Sequence, residues 1–196
     1  MTNPLRRPMT NLPTTLQLTL PDWLQHTLDE ARVYADDESR VALAIDLARG
    51  NVENATGGPF GAAVFTGDGR LVSVGVNRVL PQNCSAAHAE MMAYMLAQAR
   101  VQRSRLNENG ERFVLATSAQ PCCQCYGATF WAGIDELLIG ARSEDVEELT
   151  EFDEGPLPAE WIGELESRGI SVRRDILRDA ARGVFLRYRE LGGQRY

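Results

Sequence analysis

The sequence predicts an α/β protein, a three-layer α/β/α sandwich around a mixed five-stranded sheet. Three observations carry that prediction. Short runs rich in β-branched and apolar residues alternate with helix-length patterns along the second half of the chain. The order strand, helix, strand, helix, strand requires crossover connections, which lay helices on both faces of a sheet. With 44% hydrophobic and 24% charged residues, the 196-residue chain has the composition of a globular domain with a real core.

Residues 1–20 are rich in Pro and Thr and read as an extended polar arm. A helix is expected from Asp22, an N-cap residue followed by Trp23, Leu24, Leu28 and Ala31. A second follows "ADDESR" and puts Val41, Ala44, Ile45 and Ala48 on one face, with Gly50 and Asn51 near its end. Two β-rich runs, 62–66 and 71–76, flank Gly67-Asp68-Gly69 and form a hairpin. Ser85 is placed to cap a helix carrying Met91, Met92, Met95, Leu96 and Ala99. "RFVLATS" (112–118) is a strand. Pro121 then opens a helix through "CCQCYGATFWAG" to Gly133. "ELLIGAR" (136–142) is the next strand. The acidic segment 145–160, with two prolines, reads as a loop. "AEWIGELESRG" is helical, "ISVRRDI" a strand, "LRDAARGVFLRYREL" a last helix and "GGQRY" a loose tail.

The formal net charge of −7 argues against a protein that lives on phosphate backbones. Seven late arginines, Arg168 to Arg189, are interleaved with acids at helical spacing and read as a solvated helix face. No apolar run reaches the ~18 residues that span a membrane. The first residues lack the apolar stretch and small-residue site of an export signal. The expected location is the cytoplasm, with reduced thiols available for a metal or for catalysis.

The chain has two histidines and four cysteines, and clusters them. His88 stands two residues before Glu90 in "SAAHAEMM". Cys122 and Cys125 are three apart after Pro121, so both sulfurs share one helix face at an N-terminus whose dipole favours thiolates. Cys123 is turned by about 100° and should face elsewhere. One imidazole and two thiolates suit zinc, one ion per chain, and three protein ligands leave a fourth position for water. Zinc acidifies that water to a pKa near 7, and Glu90 is placed to carry its protons. A lone C-x-x-C is equally a redox pair or half a structural site. The conjunction with "HAE" matches the zinc deaminase pattern H-x-E…P-C-x-x-C in full. Cys84 has no assigned role.

On "GGPFGAAVF", "VGVNRV", "SAAHAE" and "TSAQPCCQCYGATFWAGI", over roughly residues 40–196, the sequence resembles the cytidine deaminase-like superfamily. "GGPFG", Asn77 and "EFDEGP" (151–156) resemble its bacterial guanine deaminase branch. That resemblance implies His88, Cys122 and Cys125 as zinc ligands and Glu90 as proton shuttle. It implies Asn77 as the group that hydrogen-bonds the purine, with Phe60 and Trp131 lining the base pocket and the backbone of Ala89 near the ring. Glu154, with Asp153 as second choice, is the other carboxylate, and Tyr196 is the aromatic end of a C-terminal lid. Residues 1–35 are then an extension and 36–196 the deaminase domain, expected as a homodimer that exchanges its tails. Two departures stand out: Gln120 replaces the family's Glu before Pro-Cys, and Glu151 replaces its Gly before Phe152.

The resemblance implies hydrolysis of guanine to xanthine and ammonia, with no nucleic acid or membrane partner. Deamination of cytosine, cytidine, an aminotriazine such as ammeline, or tRNA adenosine is the alternative chemistry. A zinc-stabilised scaffold is the alternative without catalysis.

Overall fold

The computed structural model describes residues 12–26 and 28–195. Its layers follow from the two-residue side-chain period of the strands. These are β1 (Gly61–Thr66), β2 (Leu71–Val76), β3 (Phe113–Ala119), β4 (Glu136–Ala141) and β5 (Ser171–Arg173), in the spatial order β2-β1-β3-β4-β5. The hairpin β1–β2 and the pair β1–β3 are antiparallel, whereas β3–β4 and β4–β5 are parallel. Ala63, Phe65, Val114, Ala116 and Leu138 point to one face, and Ala62, Val64, Leu115, Leu137 and Ile139 to the other. Both faces are apolar, as a sheet buried on two sides requires.

Helices α1 (Asp37–Glu53) and α7 (Arg178–Glu190), with Val146 and Leu149 of α5 (Ser143–Thr150), cover the first face. On the second lie α3 (Ala89–Val101), α4 (Cys123–Ala132) and Leu165 of α6 (Trp161–Glu166). A single turn, α2 (Val79–Gln82), precedes α3. Gly75 decides how closely α3 approaches β2. A Cβ there would lie 2.0 Å from the carbonyl oxygen of Ala89, so only a glycine lets the start of α3 press onto the strand. That contact fixes where the two residues flanking Ala89 stand.

Four expectations are corrected. The helix predicted from Asp22 is a short 3-10 turn, Asp22–His26. Beyond it the chain gives its hydrogen bonds to the hairpin: Tyr34 N–H donates to the Gly69 carbonyl at 2.8 Å, and Val33 bridges Arg70. The acidic segment after Arg142 is not a loop at its start but helix α5. Asp145 makes it so: its carboxylate accepts from Arg142 N–H at 2.9 Å and from Arg178 at 2.7 and 2.8 Å, and it also binds Arg182. These ion pairs hold the Asp145 carboxyl well below the usual carboxylate range, the Arg178 hydrogen bonds being the largest cause. Arg178 and Arg182 therefore tie α7 to α5 and are more than a solvated face. Finally, Ser85 caps no helix; α3 begins at Ala89 with His88 as its N-cap.

Candidate active site

Two helix N-termini meet where β3 ends. Cys122 is the N-cap of α4, three residues beyond the last residue of β3, and His88 is the N-cap of α3. Cys125, one turn into α4, is fully buried. The Nδ1 atom of His88 lies 3.4 Å from Cys122 Sγ and 3.6 Å from Cys125 Sγ, and one ligand atom from each residue falls within 4.8 Å of the others. A zinc ion with bonds of about 2.3 Å to sulfur and 2.05 Å to nitrogen at tetrahedral angles sets each N···S edge at about 3.6 Å. The donor set and its spacing therefore fit zinc.

The charge around the triad points the same way. Cys122 is held as a thiolate, its pKa lowered to about 4 by the hydrogen bond from Cys125, then that from His88, against the cost of burial. The Cys125 thiol is pushed far up by the same pairing and by burial. Burial draws the His88 imidazole down, but the Cys122 hydrogen bond and the charges of Glu90, Cys122 and Glu154 leave it raised. Glu90 is raised to about 7, first by burial and then by the Cys122 charge. Glu154 is raised to about 8 by burial, Cys122 and Glu90 in that order. Two buried carboxyls and a thiolate crowd one spot, and a divalent cation relieves that crowding.

A cavity of about 380 Å³ opens onto the triad. Phe60, Asn77, His88, Glu90, Asp153 and Glu154, among others, line it. Glu90 Oε2 accepts from Cys125 Sγ at 3.4 Å. Of the two acidic-loop residues, Glu154 is buried, whereas Asp153 is exposed and turns one carboxylate oxygen back to the N–H of Gly155 at 2.8 Å. Asn77 is almost wholly buried. Its Oδ1 accepts from Val79 N–H at 3.2 Å, which fixes the amide orientation and leaves Nδ2 as a donor for the cavity.

Some expected site residues fall elsewhere. Trp131 is 72% exposed and packs edge-on against Phe130, off the cavity. It lies six residues beyond Cys125, about 240° around the helix and about 9 Å along it, so it cannot share the face of the ligands. Ala89 is fully buried and is not among the cavity-lining residues, although its neighbours His88 and Glu90 are. Tyr196 lies outside the described residues. Cys123, expected to face elsewhere, reaches the cavity rim, where its sulfur abuts Gly155. Sequence reasoning missed Ser85, Phe152 and Gln124 as lining residues. Phe152 was legible as part of "EFDEGP", and Ser85 as the loop residue three before His88; Gln124 gave no signal. Gln120 lines the cavity and donates to Ser143 Oγ at 3.2 Å. Glu151 ends α5 in a left-handed backbone, φ 62°, a conformation that a glycine takes without strain.

A family model described as the cytidine and deoxycytidylate deaminase zinc-binding region matches residues 35–141. The chain is 33% identical over 133 residues to guanine deaminase of Bacillus subtilis (strain 168), which covers 68% of this chain and 81% of that protein. Among solved structures, guanine deaminase from Nitrosomonas europaea superposes with a TM-score of 0.85 at 43% identity, covering 92% of this chain and 99% of that one. NE0047 in complex with 2,6-diaminopurine gives a TM-score of 0.87 at 46% identity over 93% and 96% of the two chains.

Proposed function

Because the chain belongs to the cytidine and deoxycytidylate deaminase zinc-binding family, we propose that it hydrolyses guanine to xanthine and ammonia. It is a hydrolase of the cyclic-amidine class. The observation that carries the substrate reading is a second buried carboxyl, Glu154, lining the same small cavity as Glu90 and the metal ligands His88 and Cys122. His88, Cys122 and Cys125 would hold the zinc ion, which would supply a Lewis acid able to activate water at neutral pH. Glu90, beside Cys125, accepts the proton of the attacking water and returns it to the ring nitrogen. Asn77 donates its Nδ2–H to an acceptor of the purine, and Phe60 forms the apolar wall beside the ring. Glu154, protonated at the start, meets the exocyclic amine and gives it a proton as the C–N bond breaks and ammonia leaves; the hydroxyl proton of the added water, released as the carbonyl forms, restores the Glu154 carboxyl, so that protons balance. Asp153, exposed and turned to its own loop, is the weaker candidate for that step.

A panel of guanine, adenine, cytosine, cytidine and ammeline, read as ammonia release, tests the substrate. Guanine is the expected substrate, and Glu154→Gln lowers its kcat/KM by about 100-fold. Turnover of cytidine with none of guanine overturns the specificity. Steeply salt-sensitive binding to tRNA would favour the nucleic-acid reading instead.

The same reading divides the chain into an extension, 1–35, and a deaminase domain, 36–196, and places the protein in the cytoplasm, where free thiols persist. No helix among the described residues is long and apolar enough to cross a membrane. Two copies associate, a reading supported by Trp131, Met95 and Leu96, large apolar residues left exposed on the neighbouring helices α3 and α4. The C-terminal lid is proposed to come from the second copy; within one chain the Tyr188 hydroxyl donates to the Gln194 carbonyl at 2.6 Å. Sedimentation should read a particle of two chains, and a single-chain particle that retains full activity removes the exchanged lid.

A further inference from the structure

The main chain at Asn77, from which its side chain reaches the cavity, is held by a relay that begins outside the family-matched region. Asn77 follows β2, where the ladder ends, so its carbonyl needs a partner from elsewhere. Asn51, fully buried in α1, supplies it: its Nδ2 donates to the Asn77 carbonyl at 2.9 Å and to the Gly58 carbonyl at 2.8 Å. The Asn51 amide is held that way round because its Oδ1 accepts from the Thr56 hydroxyl at 2.8 Å. The Thr56 oxygen in turn accepts from Trp23 Nε1 at 3.0 Å, and of its two acceptors the Asn51 side-chain oxygen at 2.8 Å is nearer than the Asn51 main-chain carbonyl at 3.3 Å. Gly57 closes the space, since a Cβ on it would lie 1.9 Å from the Asn77 oxygen. Arg78 braces the same corner, reaching the Thr56 carbonyl at 2.5 Å and the Thr19 carbonyl at 3.1 Å. On the other side Asn77 N–H donates to Phe60 at 3.1 Å, so both cavity residues share this frame.

We infer that Trp23, Thr56 and Asn51 are positioning residues, which hold Asn77 in its purine-binding orientation and make the segment 19–24 part of substrate recognition. The inference rests on the proposed contact between Asn77 and the base. Loss of the Thr56 hydroxyl leaves the buried Asn51 amide oxygen without its side-chain donor and loosens the amide that holds the Asn77 carbonyl.

The test uses the full chain with zinc bound. Thr56→Val should raise KM for guanine about tenfold, with kcat within about twofold of wild type and an unchanged zinc content. Thr56→Ser, which keeps the hydroxyl, should restore KM. In a double-mutant cycle, Thr56→Val added to Asn77→Ala should cost nothing further, because the relay acts through Asn77. Should Thr56→Val not fold, Trp23→Phe removes the N–H donor, together with the outer ring edge that lies against Gly50, and it should raise KM about threefold. An unchanged KM in Thr56→Val or in its Trp23→Phe substitute, or a full tenfold penalty on the Asn77→Ala background, overturns the inference. An unchanged KM in Asn77→Ala itself removes Asn77 from the base, and the relay's role with it. A raised KM there beside an unchanged one in Thr56→Val removes the relay alone.

Discussion

Glu90→Gln lowers kcat for guanine by about 10²- to 10⁴-fold and leaves the zinc in place. The substitution keeps volume and polarity in a buried position, so the cavity wall and the α3 start pressed against Gly75 are retained. It removes only the capacity to accept and release a proton. Glu90 is two residues from His88 but is not needed for the N···S geometry, because the three ligand atoms already cluster without it. Atomic absorption on the purified variant should therefore read the wild-type zinc content, and circular dichroism the wild-type fold. A general base is the role that separates catalysis from scaffold: in a purely structural zinc protein the exchange alters no assay. Wild-type turnover by Glu90→Gln would end the proton-shuttle assignment while leaving the metal centre standing.

How far the sequence disclosed this site depends on the range of the interaction concerned. His88, Cys122 and Cys125 were legible because spacing along a helix and a proline-marked N-terminus are local facts, and the structure brings the three together. The two buried faces of β1, β3 and β4 were legible for the same reason, since the two-residue period is written in consecutive residues. Helix α5 was misread because Asp145 owes its place to Arg178 and Arg182, more than thirty residues away. Trp131 was misplaced because family likeness assigned it a wall, whereas helical phase from Cys125 turns it outward. Asn51 looked like a helix end, and its grip on Asn77 across 26 residues had no local signature.

Cys125→Ala empties the metal site and abolishes turnover, yet the chain stays folded. Cys125 is the most deeply buried of the three ligands, and without its sulfur only His88 and Cys122 remain. Zinc affinity should fall by more than the 10- to 100-fold that loss of an outer-shell partner costs, so dialysed protein should carry almost no metal. The fold survives because α3 and α4 are joined beneath the site independently of the ion. The hydroxyls of Tyr94 and Thr129 share a hydrogen bond at 2.7 Å, and Thr129 Oγ1 donates to the Cys125 carbonyl at 2.8 Å, a backbone contact that the substitution keeps. Ala89, Ala93 and Ala97 of α3 remain packed on the sheet face shared with Ala132 of α4. A structural zinc behaves differently, since its binding free energy is folding free energy and its loss unfolds the domain. Metal content, thermal melting and ammonia release measured together on Cys125→Ala decide between the two: a metal-free, inactive chain that melts cooperatively supports a catalytic centre, and a metal-free chain with no cooperative melt supports a scaffold.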